Sequence, residues 1–149
     1  MRSRIYSLIT ILLVCFLPVH AQDPPKGTNT IYLLTSAESL NDAHDIVMRT
    51  LIANDVDVRS DNQDYFYIKS AGRPTKSGSD VTCSIVCMEK DGAIVIRVTG
   101  TYKSPLDNFR SEDKVIKQGM KGSIAMQVWK SMLDTAMLIP HTSIEYAEL

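Results

Sequence analysis

Asp91-Gly92 lies between two long β-rich runs and constrains the fold more than any other pair in the chain. A two-residue connection between antiparallel strands favours turns in which both central residues take positive φ, and Asp-Gly meets that demand. Setting Lys90 opposite Ala93 then fixes every pair behind it. Cys87 opposes Ile96, Ile85 opposes Val98, Cys83 opposes Gly100 and Val81 opposes Tyr102. The other face pairs Val86 with Arg97, Ser84 with Thr99 and Thr82 with Thr101. One face is apolar and the other polar, although the turn rule takes no account of hydrophobicity. The apolar face needs a second layer to cover it, and Gly100 leaves room beside Cys83.

Two amphipathic stretches can supply that layer. Ser36 to Asn54 reads as a helix, with Leu40, Ala43, Val47, Thr50 and Leu51 at spacings of three and four and Ile46 widening the stripe. Ser39 with Asp42 resembles a capping box, and Ser36 competes as the N-cap. Asn54 suits a left-handed stop. Asp42, Asp45 and Arg49 form the solvated face. A second helix runs from Ile124 to Leu138 behind the cap Ser123, with Ala125, Val128, Trp129, Met132, Ala136 and Met137 on its apolar side. Pro140 ends it.

The remaining elements are shorter. Asn29 to Leu34 is a first strand whose unbroken apolar run suits a central or doubly covered position. Val56 to Ser60 alternates, Asp61-Asn62-Gln63-Asp64 is a polar turn, and Tyr65 to Ala71 is a strand with Phe66 and Ile68 inward. Tyr65, Tyr67 and Lys69 then face the other way. Gly72-Arg73-Pro74 stops this strand, and residues 76–80 form a loop. Residues 104–122 are a long connection whose middle Val115 and Ile116 can pin, and it reads equally well as a binding loop or as a mobile excursion. Ile144 and Tyr146 alternate in a tail that either adds an edge strand or stays loose.

The expected class is α+β: an antiparallel sheet with two helices on one face, in the order β-α-β-β-β-β-α. The helix end LIANDVDV, the segment SDNQDYFYIKS, the hairpin VTCSIVCMEKDGAIVIRVTGTY and the late helix GSIAMQVWKSML together resemble uncharacterised small exported domains of Gram-negative envelopes with a TBP-like, helix-grip-like fold. The resemblance covers nearly everything after the leader. It implies a fold and no site residues. It does not import DNA binding, because a fold carries no function of its own.

The N-terminus sets the expected compartment. Arg2 and Arg4, the apolar run Ile5 to Leu17 and the sequence Val19-His20-Ala21 have the layout of a secretory signal peptide. The expected organisation is a signal peptide over residues 1–21, a flexible tether over 22–28 that contains Pro24-Pro25, and one domain over 29–149. The protein is then periplasmic or secreted. Val14 disfavours lipid anchoring at Cys15, because a lipidated cysteine follows a small residue. No apolar stretch after the leader is long enough to span a membrane. The formal net charge is −1, and loss of Arg2 and Arg4 makes the rest more acidic, which argues against nucleic acid as a partner. Cys83 and Cys87 stand four apart on one strand, about 13 Å from each other, whereas a disulfide needs Cα atoms within roughly 7 Å. They read as core residues.

Catalytic motifs are missing. The chain has no Gly-x-Ser-x-Gly, no His-Glu-x-x-His, no phosphate-binding glycine loop and no Cys-x-x-Cys. His44 and His141 stand beside no nucleophile motif, and Asp61 and Asp64 read as turn caps. No cofactor and no metal is implied. The first expectation is a non-enzymatic binding protein whose partner is another envelope protein or a wall or membrane component. Its candidate surface is the sheet face away from the helices: Tyr65, Tyr67, Lys69, Ser84, Arg97, Thr99 and Thr101. The second is a carrier of a small hydrophobic molecule between helices and sheet. The third, redox chemistry at Cys83 and Cys87, requires reactive thiols.

Overall fold

The computed structural model describes residues 24–105 and 113–149. The signal peptide expected over residues 1–21 lies outside them, as do residues 106–112 of the long connection. The chain is α+β. Its strands are β1 (Thr30–Leu34), β2 (Val58–Asn62), β3 (Tyr67–Ser70), β4 (Arg73–Pro74), β5 (Asp80–Lys90), β6 (Ala93–Lys103), β7 (Lys114–Val115) and β8 (Ser143–Ala147). Its helices are α1 (Leu40–Ala53) and α2 (Ile124–Leu138). All strand pairs are antiparallel in one open sheet, ordered β2-β3-β5-β6-β1-β8, with β4 beside β5 and β7 beside β6.

The central hairpin has the register that its turn demands. Every pair from Asp80↔Lys103 to Lys90↔Ala93 is in step, and the turn residues Asp91 and Gly92 take φ of 53° and 77°. Val81, Cys83, Ile85 and Cys87 are buried on one face, opposite Tyr102, Gly100, Val98 and Ile96. Ile31 and Leu33 extend that face through β1, and Ile68 extends it through β3. Helix α1 adds Ala43, Val47 and Leu51 to the same buried cluster, and α2 adds Val128, Trp129, Met132 and Ala136. Both helices therefore cover one face, and each large apolar side chain so buried contributes about 1.5–3 kcal/mol. Gly100 is the point of closest approach. A Cβ there would stand 2.8 Å from Ile116 Cδ1 and 2.9 Å from Met132 Sδ, so its missing side chain makes room for those two residues.

Both helices are capped by serines. Ser39 Oγ accepts from Asp42 N at 3.1 Å and starts α1, so Ser36 lies outside the helix. The Asp42 carboxylate accepts from Glu38 N at 3.2 Å, not from Ser39, which makes the capping box incomplete. Asn54 is not the left-handed stop: its φ is −110°, while Asp55 has φ 54°. Val56 N donates to Leu51 O at 2.9 Å and Asp55 N to Ile52 O at 3.2 Å, the paired bonds of a Schellman closure. Asn54 Nδ2 instead donates to Thr50 O at 2.8 Å. Ser123 Oγ accepts from Met126 N at 3.1 Å and starts α2. Met137 is exposed, and Thr135 takes the buried place in the α2 stripe.

Four stretches differ from expectation or resolve it. The polar turn expected at Asp61–Asp64 is strand at its start, since β2 runs through Asn62. The chain reverses one residue later, in a single 3-10 turn over Gln63–Tyr65, and Phe66 takes φ 48°. Strand β3 therefore begins at Tyr67, and Tyr65 is not on it. The long connection is anchored by β7 and by the fully buried Ile116, whereas Val115 is exposed. The end of the stretch read as a tether is held by Gly27 N donating to Gln118 O at 3.1 Å and Gln118 N donating to Thr28 O at 2.7 Å. The tail forms β8 on the edge of β1, so the sheet carries three strands, β4, β7 and β8, beyond the expected order.

Candidate functional site

The register places residues of all the long strands on the face opposite the helices. One transverse row runs Asn62, Tyr67, Val86, Arg97, Tyr32 and Glu145 across six strands. The next row holds Ser60, Lys69, Ser84 and Thr99, and beyond it Thr82 pairs with Thr101. Toward the hairpin turn a third row holds Met88, Val95, Leu34 and Ser143. Tyr67, Lys69, Ser84, Arg97, Thr99 and Thr101 thus share one face. Tyr65 does not join them: it sits in the 3-10 turn with 75 % of its surface exposed.

Sequence reasoning missed the apolar part of this face. Tyr32 and Leu34 belong to the run read as central or doubly covered, yet only Ile31 and Leu33 point to the helices, and Tyr32 and Leu34 are half-buried on the open side. The available signal was strand alternation, which puts Tyr32 and Leu34 on the face opposite Ile31 and Leu33, and the structure then pairs Tyr32 with Arg97 and Leu34 with Val95. The middle of the face is tied together locally. Tyr67 Oη and Ser84 Oγ lie 3.2 Å apart, and Thr99 Oγ1 donates to Ser84 O at 3.5 Å. Lys90 Nζ sits 4.6 Å above the Tyr32 ring and 3.3 Å from Glu145 Oε2. Beneath that pair is a depression of about 160 Å³, lined by Tyr32, Leu34, Ala93 and Val95. A second depression of about 280 Å³ lies beside Thr82 and Thr101 and is bordered by Arg59, Asp80, Lys103 and Asp113. Lys103 Nζ is 3.7 Å from Asp113 Oδ1. Lys69 and Arg97, both half-buried, have no carboxylate partner among the described residues.

Two other clusters carry chemistry-bearing groups. On the helix side His44 of α1 is buried, and its Nε2 donates to Asp61 Oδ1 of β2 at 2.8 Å. The ring meets Phe66 edge-on at 6.4 Å, and its Nδ1 is buried without a hydrogen-bond partner among the described residues. Neither residue is adjacent to the other in sequence, and Asp61 works as the partner of a helix residue rather than as a turn cap. Cys83 and Cys87 are free thiols in the core. Burial pushes Cys83 up from 9.0 to about 11, with the Thr135 and Ser70 hydroxyls pulling partly back. Burial alone pushes Cys87 up to about 12. Both are protonated at neutral pH, the wrong state for a nucleophile or a metal ligand.

Among the described residues no three His, Cys, Asp or Glu are grouped to hold a metal ion, and no helix is long and apolar enough to cross a membrane. No family model matches the chain, and no curated protein does.

Proposed function

We propose that this chain is an exported, non-enzymatic binding protein of the cell envelope, and that the open sheet face is where its partner docks. One observation carries the reading. The two helices share one side of the sheet, which leaves the row Tyr67, Val86, Arg97 and Tyr32 uncovered on the other. Tyrosine and arginine are the residues most often responsible for affinity at protein interfaces, and here they are backed by a rigid sheet. Burial of the two thiols, which holds both protonated, favours binding over redox chemistry. In this reading the signal peptide at residues 1–21 delivers the chain to the envelope, and the arrangement is the TBP-like one, extended at one edge by β8.

The test is positional crosslinking in the envelope. A photoreactive side chain replaces Tyr67 on the open face or Met137 on the solvent side of α2. Adducts from position 67 and not from 137, abolished by Val86→Arg, are the expected outcome. Adducts from 137 that survive Val86→Arg would place the interface on the helices and sink the reading.

A further inference from the structure

We infer that the partner meets this face with an extended acidic segment carrying one aromatic side chain: the ring enters the depression beside Tyr32 and the carboxylates bind Arg97 and Lys69. This rests on the docking role proposed for the open face and names the chemistry of its partner.

The charge pattern leads to it. Arg97 is flanked in register by Val86 and Tyr32, and Lys69 by Ser60 and Ser84. Neither cation has a carboxylate partner among the described residues, although the chain holds 17 acidic residues against 16 basic ones. Lys90 on the same face is already engaged by Glu145. Both cationic residues are half-buried, with their stems against the sheet and their charged ends on the open face. The Ser84 hydroxyl lies between them and can donate to the same anions while it accepts from Tyr67 Oη.

The geometry selects an extended chain. Arg97 and Lys69 are two strands and one row apart, about 12 Å. The depression of about 160 Å³ begins at Val95, two residues along β6 from Arg97. Depression, Arg97 and Lys69 therefore follow one diagonal across the sheet. A segment advancing about 3.3 Å per residue places an aromatic ring, then a carboxylate two residues on, then another about four residues further. The apolar floor of Leu34, Ala93 and Val95 suits a ring, and a cavity of roughly 150 Å³ takes one benzene. The Lys90–Glu145 pair at its rim limits the occupant to a single side chain.

The probe is a fluorescein-labelled peptide, Phe-Ser-Glu-Ser-Ser-Ser-Glu, titrated with the full chain by fluorescence anisotropy. Saturable binding that weakens with added salt is expected. Arg97→Gln, Lys69→Gln and replacement of the peptide Phe by Ala should each weaken it about tenfold, while far-UV circular dichroism and the melting temperature stay at the parent values. No binding to the parent chain, or binding indifferent to Arg97→Gln, overturns the inference. Binding to phosphatidylglycerol vesicles or heparin in place of the peptide overturns it as well. Position-67 crosslinks that persist in the Arg97→Gln/Lys69→Gln variant and at high salt would leave the docking face standing and remove the acidic segment. Loss of the contrast between positions 67 and 137 would remove the docking face itself.

Discussion

His44 makes one hydrogen bond where its ring has two nitrogens to satisfy. Nε2 is held by Asp61 at 2.8 Å, and Nδ1 is buried with no hydrogen-bond partner among the described residues. The bond ties α1 to the edge strand β2, so losing Asp61 strands both nitrogens. Asp61→Ala should cost about 1–3 kcal/mol, read from urea unfolding. The double variant His44→Leu/Asp61→Ala should recover most of that loss, since an apolar side chain leaves nothing unsatisfied. A double variant no more stable than Asp61→Ala alone would mean that the loss is packing and not the hydrogen bond. The cysteines give a pH prediction. Unfolded thiols titrate at 9.0, whereas the folded ones are pushed to about 11 and about 12. The folded state therefore holds more protons in that window, and stability falls as pH rises from 9 through 11 and 12. Below the unfolded value the thiols have no effect. The alkaline fall in the unfolding midpoint should be shallower in Cys83→Ala/Cys87→Ala, and iodoacetamide should label both thiols only after denaturation. The core role of these cysteines was legible from the hairpin register. The His44–Asp61 contact was not, because α1 and β2 each make sense separately and nothing in either names the other.

Gly92 and Gly100 show two different reasons for glycine within one hairpin. Gly92 takes φ 77° with open space around it, so its alanine variant costs only the left-handed strain, about 1–2 kcal/mol. At Gly100 no unusual φ is involved, but a Cβ would collide with Ile116 and Met132 and stand 3.2 Å from Thr82 O. Gly100→Ala should therefore destabilise by about 1–3 kcal/mol through overpacking. Trimming Ile116→Val should return part of that loss, whereas it should do nothing for Gly92→Ala. Equal behaviour of the two glycines toward Ile116→Val in thermal melts would contradict the packing account. The hairpin, α2 and the Ser123 cap were legible because each is decided by residues within a few positions of one another. The β2–β3 connection was harder to read. Asp61 to Asp64 has turn composition throughout, but β2 extends to Asn62 to meet Tyr67, and Phe66 adopts φ 48°. That local twist carries Tyr65 off the sheet while Tyr67 and Lys69 stay on it.

At the scale of the molecule, the placement of both helices follows from strand order. Antiparallel steps make β1 and β2 parallel to each other, and likewise β6 and β8. The connection from β1 through α1 to β2 moves toward one edge, and that from β6 through α2 to β8 moves toward the other on oppositely directed strands. A half-turn about the sheet normal interconverts the two movements, so connections of the same hand put both helices on the same face. The open face is thus a consequence of topology. What the sequence left open at this scale is whether the tail joins the sheet as β8, because its partner β1 lies more than a hundred residues away and is not announced by any turn. β8 pairs along all of β1, its Tyr146 packs 6.3 Å from Trp129, and the Asn29 side chain bonds both the amide and the carbonyl of Leu149. Removing residues 143–149 should expose the backbone edge of β1 beside an uncovered Trp129. An exposed strand edge recruits another chain. The truncated protein should therefore associate with rising concentration in light scattering and melt at a lower temperature. A synthetic peptide of residues 143–149 supplied in trans should reverse the association by adding the missing strand. A truncated chain that stays monomeric and keeps its melting temperature would show that β8 rests on the sheet without sealing it.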